Sequence, residues 1–235
     1  MNFNKERIRY FSKKLTLRLY FRILSIFIFL GLMFFLTAGS IQYWEGWIFL
    51  FILLIPVLFF VTYFTRKKPD LIERRILKNR ENEKDQKTIK NLFAIIFLVA
   101  ILLPGIDYRF SWSSIPFSIV LCSDVLVLFG YIIIVWVIKV NSFASAIVEI
   151  SKDHEVIDTG PYKIVRHPMY AGQLVFFLFT PLALGSYWAV IPFLIGLPVV
   201  FALRITSEEK YLIINLPGYK DYRRKTKYRL IPYIW

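Results

Sequence analysis

Six apolar runs divide this chain, and nothing else in the sequence restricts its fold as strongly. They cover Leu17 to Thr37, Trp44 to Phe64, Leu92 to Gly105, Ile115 to Val140, Met169 to Leu184 and Trp188 to Ile205. The hydrocarbon layer of a bilayer needs about 20 consecutive apolar residues to be crossed as a helix. The first two runs meet that length outright. Hydrophobic residues make up 57% of the 235, above the roughly 45–50% of a soluble domain. A water-soluble fold of this length has too little interior to hide so much apolar surface. The pattern predicts an all-α integral membrane protein of about six transmembrane helices.

The charges say how the spans are oriented. Thirty Lys and Arg face sixteen Asp and Glu, a net charge of +14. They flank the apolar runs and form no separate basic domain, so they read as topology signals and anionic-lipid contacts, with no nucleic-acid partner. Residues 1–22 hold seven Lys/Arg, 65–90 ten, 139–168 four and 204–235 eight, while the loops between hold only Arg109. The positive-inside rule then places the N- and C-termini and both long polar segments in the cytosol. The one cysteine, Cys122, excludes an internal disulfide, and two histidines, His154 and His167, are too few for a metal site. The first run is too long for the apolar core of a signal peptide and lacks a clear cleavage site. No internal repeat of the transporter kind is visible.

Local signals refine this outline. Ile41, Tyr43, Trp44 and Trp47 read as an interfacial aromatic belt, with Glu45 in its wet zone. In the charged stretch 65–90, Leu71, Ile72, Ile76 and Leu77 recur at helical spacing, which suits a surface helix or a solvated loop. Pro104–Gly105 is expected to end the third span. Asp124 falls inside the fourth and is read as a neutral or helix-paired carboxyl without a catalytic role. Pro192, Gly196 and Pro198 predict a kink in the last span.

The chain divides into an N-terminal membrane region, 1–138, with a basic loop at 65–90, and a region 139–235 comprising a polar segment, a helical hairpin and a tail. The polar segments 141–168 and 206–235 bracket that hairpin and can meet at its mouth. There the stretch GPYKIVRHPMY, residues 160–170, combines restrained prolines with Gly160, which permits unusual dihedrals. It serves equally well as a cradle for a folded small molecule or as a plain turn and helix start. Arg204 and Glu208, four apart, share a helix face. They suit either a snorkelling Arg with a surface partner or a pair that grips an anion and an ammonium.

The stretch HEVIDTGPYKIVRHPMYAG, followed after the hairpin by RITSEEKYL and PGYKDYRRKTKYRLIP, resembles the isoprenylcysteine carboxyl methyltransferase family and, at lower resolution, phospholipid N-methyltransferases. The resemblance covers about residues 139–235. Earlier residues agree only as hydrophobic spans with a DYRFSWS loop. It implies S-adenosylmethionine as methyl donor and a membrane enzyme whose site faces the cytosol. It places cofactor contacts on His154, Glu155, Val156 and Ile157, on Tyr162, on His167, Pro168, Met169 and Tyr170, and on Glu208. It makes Arg204 the substrate-contacting arginine, so that Arg204 and Glu208 are the candidate catalytic pair. The lipophilic acceptor enters from the bilayer, and no metal is required. The chain departs from the family at Ile147, where some eukaryotic members have a cofactor-contacting glutamine. It departs again at Lys225, where an arginine is common, keeping the charge without the bidentate fork. Arg166 is assigned the task of pinning the helix start at the lipid headgroups.

Methyl transfer from a sulfonium to an anion needs positioning and water exclusion more than acid–base help. A polar donor from the cytosol and a greasy acceptor from the lipid would meet at a membrane mouth. The expected activity is carboxyl O-methylation of an isoprenylcysteine-like or other lipophilic acceptor. The alternatives are phospholipid N-methylation, a sterol-reductase-like NADPH enzyme, and a non-enzymatic membrane protein or small transporter.

Overall fold

The computed structural model describes residues 2–67, 84–141 and 155–235, with side chains from residue 16 in the first helix and residue 88 in the third. Among them every regular element is helical. The elements are α1 (Asn2–Ala38), α2 (Trp44–Lys67), α3 (Lys84–Phe110), α4 (Phe117–Val140), a 3-10 turn (Gly160–Lys163), α5 (Pro168–Ala183), α6 (Val190–Asn215) and α7 (Tyr219–Lys225). Among the described residues, five stretches are long and apolar enough to cross a membrane: Thr16–Ala38, Trp44–Lys67, Thr88–Phe110, Phe117–Val140 and Val190–Asn215. The protein is an integral membrane protein. Helix α5 is apolar but has only 16 residues, about 24 Å at 1.5 Å per residue.

Helices α4 and α5 form the most extensive pairing, and glycines explain how close they come. A Cβ on Gly130 would lie 2.7 Å from the Phe176 nitrogen and 2.8 Å from the Gly172 oxygen. These are backbone atoms that cannot turn aside. Small residues admit such approach where lipid offers no hydrophobic drive between helices. Helix α3 packs between α1 and α6.

The third span does not stop at Pro104–Gly105. Helix α3 continues through both to Phe110. Proline there removes one intrahelical hydrogen bond, while the absent side chain of Gly105 admits α1: a Cβ would meet the Phe34 carbonyl at 2.9 Å and collide with Thr37. The aromatic belt is also revised. Ile41 and Trp47 are exposed, but Tyr43 is fully buried and its hydroxyl donates to the Leu184 carbonyl. Asp124 is buried, and among the described residues neither of its carboxylate oxygens has a hydrogen-bond partner. The stretch 68–83, with Leu71, Ile72, Ile76 and Leu77, lies outside the described residues.

One end of the bundle is closed by Asp107. Its carboxylate accepts from the Ser113 backbone N–H and Ser113 Oγ, both at 2.7 Å, and from Ser186 Oγ. This ties the end of α3 to the α3–α4 loop and the α5–α6 turn. Tyr43, Trp44 and Phe117 gather at the same end, with Trp44 and Phe117 ring centroids 5.3 Å apart. The opposite end carries the 3-10 turn, the start of α5, the end of α6 and the tail. Polar chemistry collects there.

Candidate functional site

The site at the tail end is assembled by backbone pairing between two segments far apart in sequence. The Arg166 N–H donates to the Tyr228 carbonyl and the His167 N–H to the Arg229 carbonyl, both at 2.9 Å. Gly160 sits at φ +57°, a conformation that lets the chain tuck Pro161 and Tyr162 inward. The Tyr162 carbonyl accepts from Tyr222 Oη at 2.8 Å and Thr226 Oγ1 at 3.3 Å, and its hydroxyl accepts from Asn141 Nδ2 at 2.8 Å. Pro168 is then the first residue of α5, where a missing N–H costs nothing.

Helix α6 contributes the polar centre. Arg204 Nε donates to Tyr170 Oη at 3.1 Å, and Tyr170 Oη donates to Glu208 Oε2 at 2.9 Å. The three predicted residues Arg204, Tyr170 and Glu208 thus form one chain of polar contacts, with the tyrosine hydroxyl as its middle link. The His167 ring centroid lies 5.9 Å from that of Tyr170, and Phe201 packs on the other side at 5.4 Å.

Glu209, one residue on, is the buried hub that sequence reasoning missed. It is 3% exposed and accepts from Arg166 Nε at 2.6 Å and Arg229 Nε at 3.0 Å. His167 Nε2 lies 3.4 Å from the same carboxylate, within ion-pair range but without hydrogen-bond geometry. Arg166 also donates through Nη1 to the carbonyls of Thr226, at 2.9 Å, and Lys227, at 2.7 Å. This overturns the reading of Arg166 as a headgroup anchor: at 7% exposed it is an internal tie. The physical reason is that Glu209 faces the interior and a buried charge demands partners. The adjacent pair of glutamates was the available signal, since neighbouring residues on a helix point about 100° apart and so must serve different surroundings.

The other predicted residues separate. Val156, Ile157 and Met169 pack against an apolar cluster of Val137, Tyr162, Leu216, Tyr219 and Tyr222. Glu155 is exposed. His154 and Ile147 lie outside the described residues, and Lys225 is exposed at the end of α7. Tyr219, on the tail segment expected to meet the hairpin's mouth, was assigned no ligand contact by the resemblance. Its hydroxyl is buried without a partner, and burial, followed by the negative charge of Glu209 and Glu208, pushes its pKa well above the usual phenol value. It stays protonated and ready to donate. Two unsatisfied buried polar atoms, His167 Nε2 and Tyr219 Oη, therefore neighbour the two glutamates. Among the described residues, no group of three or more His, Cys, Asp or Glu side chains gathers to hold a metal.

Residues 121–214 match the isoprenylcysteine carboxyl methyltransferase (ICMT) family. The chain is 38% identical over 76 residues to the protein-S-isoprenylcysteine O-methyltransferase of Schizosaccharomyces pombe, covering 32% of each chain. It is 29% identical over 136 residues to the enzyme of that name from Dictyostelium discoideum, covering 54% of this chain and 57% of that one. Over 79 residues it is 35% identical to the nickel-cobalt-cadmium resistance protein NccN of Alcaligenes xylosoxydans xylosoxydans, covering 32% of this chain and 35% of that protein. The matches thus span between about a third and somewhat over half of these relatives' lengths. The fold extends further than the sequence likeness. A solved eukaryotic intramembrane Ras methyltransferase, ICMT, superposes with a TM-score of 0.53 at 20% identity, over 100% of this chain and 87% of that one. The resemblance to ICMT proteins is therefore present in sequence over residues 121–214 and in fold over the whole chain.

Proposed function

We propose that this protein is a membrane-embedded, S-adenosylmethionine-dependent methyltransferase that esterifies the carboxylate of an isoprenylcysteine-like amphiphile. The observation that carries the reading is the Arg204–Tyr170–Glu208 chain, set beside His167 and Tyr219 with their unpartnered polar atoms. These residues fit the donor. A half-exposed carboxylate, Glu208, suits its ammonium group, and the buried imidazole and phenol offer further polar contacts. When bound, the donor supplies an activated methyl group for in-line displacement. Every other requirement falls to the protein.

Tyr170 holds Glu208 and Arg204 in register, so the groups that bind the two reactants cannot drift independently. Arg204, tied to Tyr170 through Nε, orients the acceptor's anionic group, and orientation of this kind is worth several kcal/mol in a displacement reaction. Phe201, packed on the Tyr170 ring, adds apolar surface that excludes water. The acceptor reaches the site laterally from lipid. Helix α5 completes six spans with α1, α2, α3, α4 and α6. Its 16 residues are short for a full crossing, but it lies along α4, the most extensively paired helix of the bundle. Both termini and the site face the cytosol, following the bias of the Lys and Arg residues.

The same Arg204 would serve a lipid phosphate, so phospholipid N-methylation is the rival reading. The two differ in product. Purified protein given labelled S-adenosylmethionine and an N-acetyl-S-prenylcysteine is expected to yield an alkali-labile methyl ester, and Arg204→Ala to lose turnover. Label that appears only in alkali-stable lipid amine would move the assignment to the rival. Unchanged turnover in Arg204→Ala would remove that residue's role.

A further inference from the structure

A cleft of about 590 Å³ bordered by Arg166 is lined also by Ile213, Lys220, Arg223, Arg224 and Lys227. Five of the six are cations and none is acidic. None is a residue the family resemblance assigns to donor or acceptor. The acid on the same element, Asp221, meets Arg224 at 3.5 Å in an exposed, solvent-screened pair. Like charges held this close repel unless an anion lies among them.

Arg166 gives the cleft a fixed point. Its Nε is held by Glu209 and its Nη1 by two carbonyls, while among the described residues Nη2 has no hydrogen-bond partner. A guanidinium anchored on one edge and open on the other is a preorganised donor for an oxyanion. Glu209 faces two guanidiniums, so the buried network retains surplus positive charge.

The position of the cleft decides between a soluble anion and a lipid. It sits beyond the last turn of α6, where Ile213 forms part of the wall and Ile214 beside it is 81% exposed. Further up α6, beyond the exposed Thr206 and Lys210, Val199 and Leu203 are again exposed apolar residues. At this end of the bundle α2 closes with Arg66 and Lys67 and α4 with Lys139, as helices do where they leave the hydrocarbon layer. Tyr219 and Tyr222 of α7 pack against Val137 near that end of α4, so a phosphate in the cleft would lie at headgroup level, with Ile213 and Ile214 as its apolar neighbours.

We propose that this cleft binds the headgroup of an anionic phospholipid, with Ile213 and Ile214 beside the lipid's apolar part. The site does not depend on the methyltransferase reading, because its test reads lipid binding alone. The full-length protein in detergent micelles is titrated with phosphatidylglycerol, phosphatidylcholine or inorganic phosphate, and bound lipid is counted by native mass spectrometry. Phosphatidylglycerol is expected to bind at least about tenfold tighter than phosphatidylcholine, since each basic residue near an anionic headgroup adds about a fivefold factor and several line the cleft. The Lys220→Gln/Arg223→Gln/Arg224→Gln variant changes only exposed or half-exposed side chains. It is expected to bring that preference to near parity without shifting the melting temperature of the lipid-free protein. Retention of the preference in the variant would overturn the proposal, as would equal binding of the two lipids. Displacement of phosphatidylglycerol by inorganic phosphate at equal concentration would make a soluble anion the occupant and overturn it too.

Discussion

Glu209→Gln tests whether the tail is held to the helices by a buried ion network. The carboxylate is 3% exposed and joins Arg166, on the segment before α5, to Arg229, on the tail. Removing one partner of a buried pair typically costs about 3–5 kcal/mol, because the remaining charge loses its compensation. Two features reduce that figure here. Glutamine keeps the shape and one acceptor, and Arg166 retains the carbonyls of Thr226 and Lys227. Arg229, at 31% exposed, is screened, and its share is no more than about 1 kcal/mol. A net loss of about 2–4 kcal/mol follows, almost all of it from Arg166. At about 2–4 °C per kcal/mol for a chain of this size, the melting temperature should fall by about 4–16 °C. Tryptophan fluorescence in detergent, scanned at one fixed rate for all variants, reads this change even where unfolding is irreversible. Arg229→Met, by the same reasoning, should cost only about 2–4 °C. A Glu209→Gln midpoint within about 1 °C of the wild type would refute the argument. Equal losses in the two variants would show that the network is not centred on Arg166.

Three further outcomes follow from the same structure. Tyr170→Phe severs both contacts of the Arg204–Tyr170–Glu208 chain, each of them to a charged group worth about 1.5–3 kcal/mol; methyl transfer should fall at least about tenfold while the helical circular dichroism is unchanged, and full activity would show the link to be dispensable. Gly130→Ala places a methyl 2.7 Å from a backbone nitrogen of α5, so overpacking of about 1–3 kcal/mol should lower the melting temperature, with a neutral result meaning the helices can part freely. Asp107→Ala removes the acceptor for Ser113 and Ser186 at the end away from the site. It should cost about 2–4 kcal/mol of stability yet leave KM for both substrates unchanged at permissive temperature, and a large KM change would show that the two ends are coupled.

Much of the architecture is written along the chain because the bilayer reads sequence locally. A run such as Trp44 to Phe64 meets the length requirement by itself, and no tertiary contact is needed to recognise it. The basic bias of the polar segments is likewise a local property. The hairpin motif is legible for a related reason. HPMY opens a helix at Pro168, and Arg204 and Glu208 share a face by periodicity alone. The sequence could not show that Tyr170 is the link between them, because that contact joins two helices.

The remainder was settled only by packing. Pro104–Gly105 reads as a helix stop locally, yet α3 runs through it because α1 fills the space that Gly105 leaves. Tyr43 reads as an interfacial aromatic but is buried against Leu184. Arg166 and Glu209 are 43 residues apart and look like any surface charges in a basic protein. The fold puts them inside, 2.6 Å from each other, with Arg229 completing the network. A chain's own pattern determines which segments are apolar enough to enter a membrane and how a helix face is composed. Which charge is buried, and which partner stabilises it, depends on distances between segments that only the folded chain brings together.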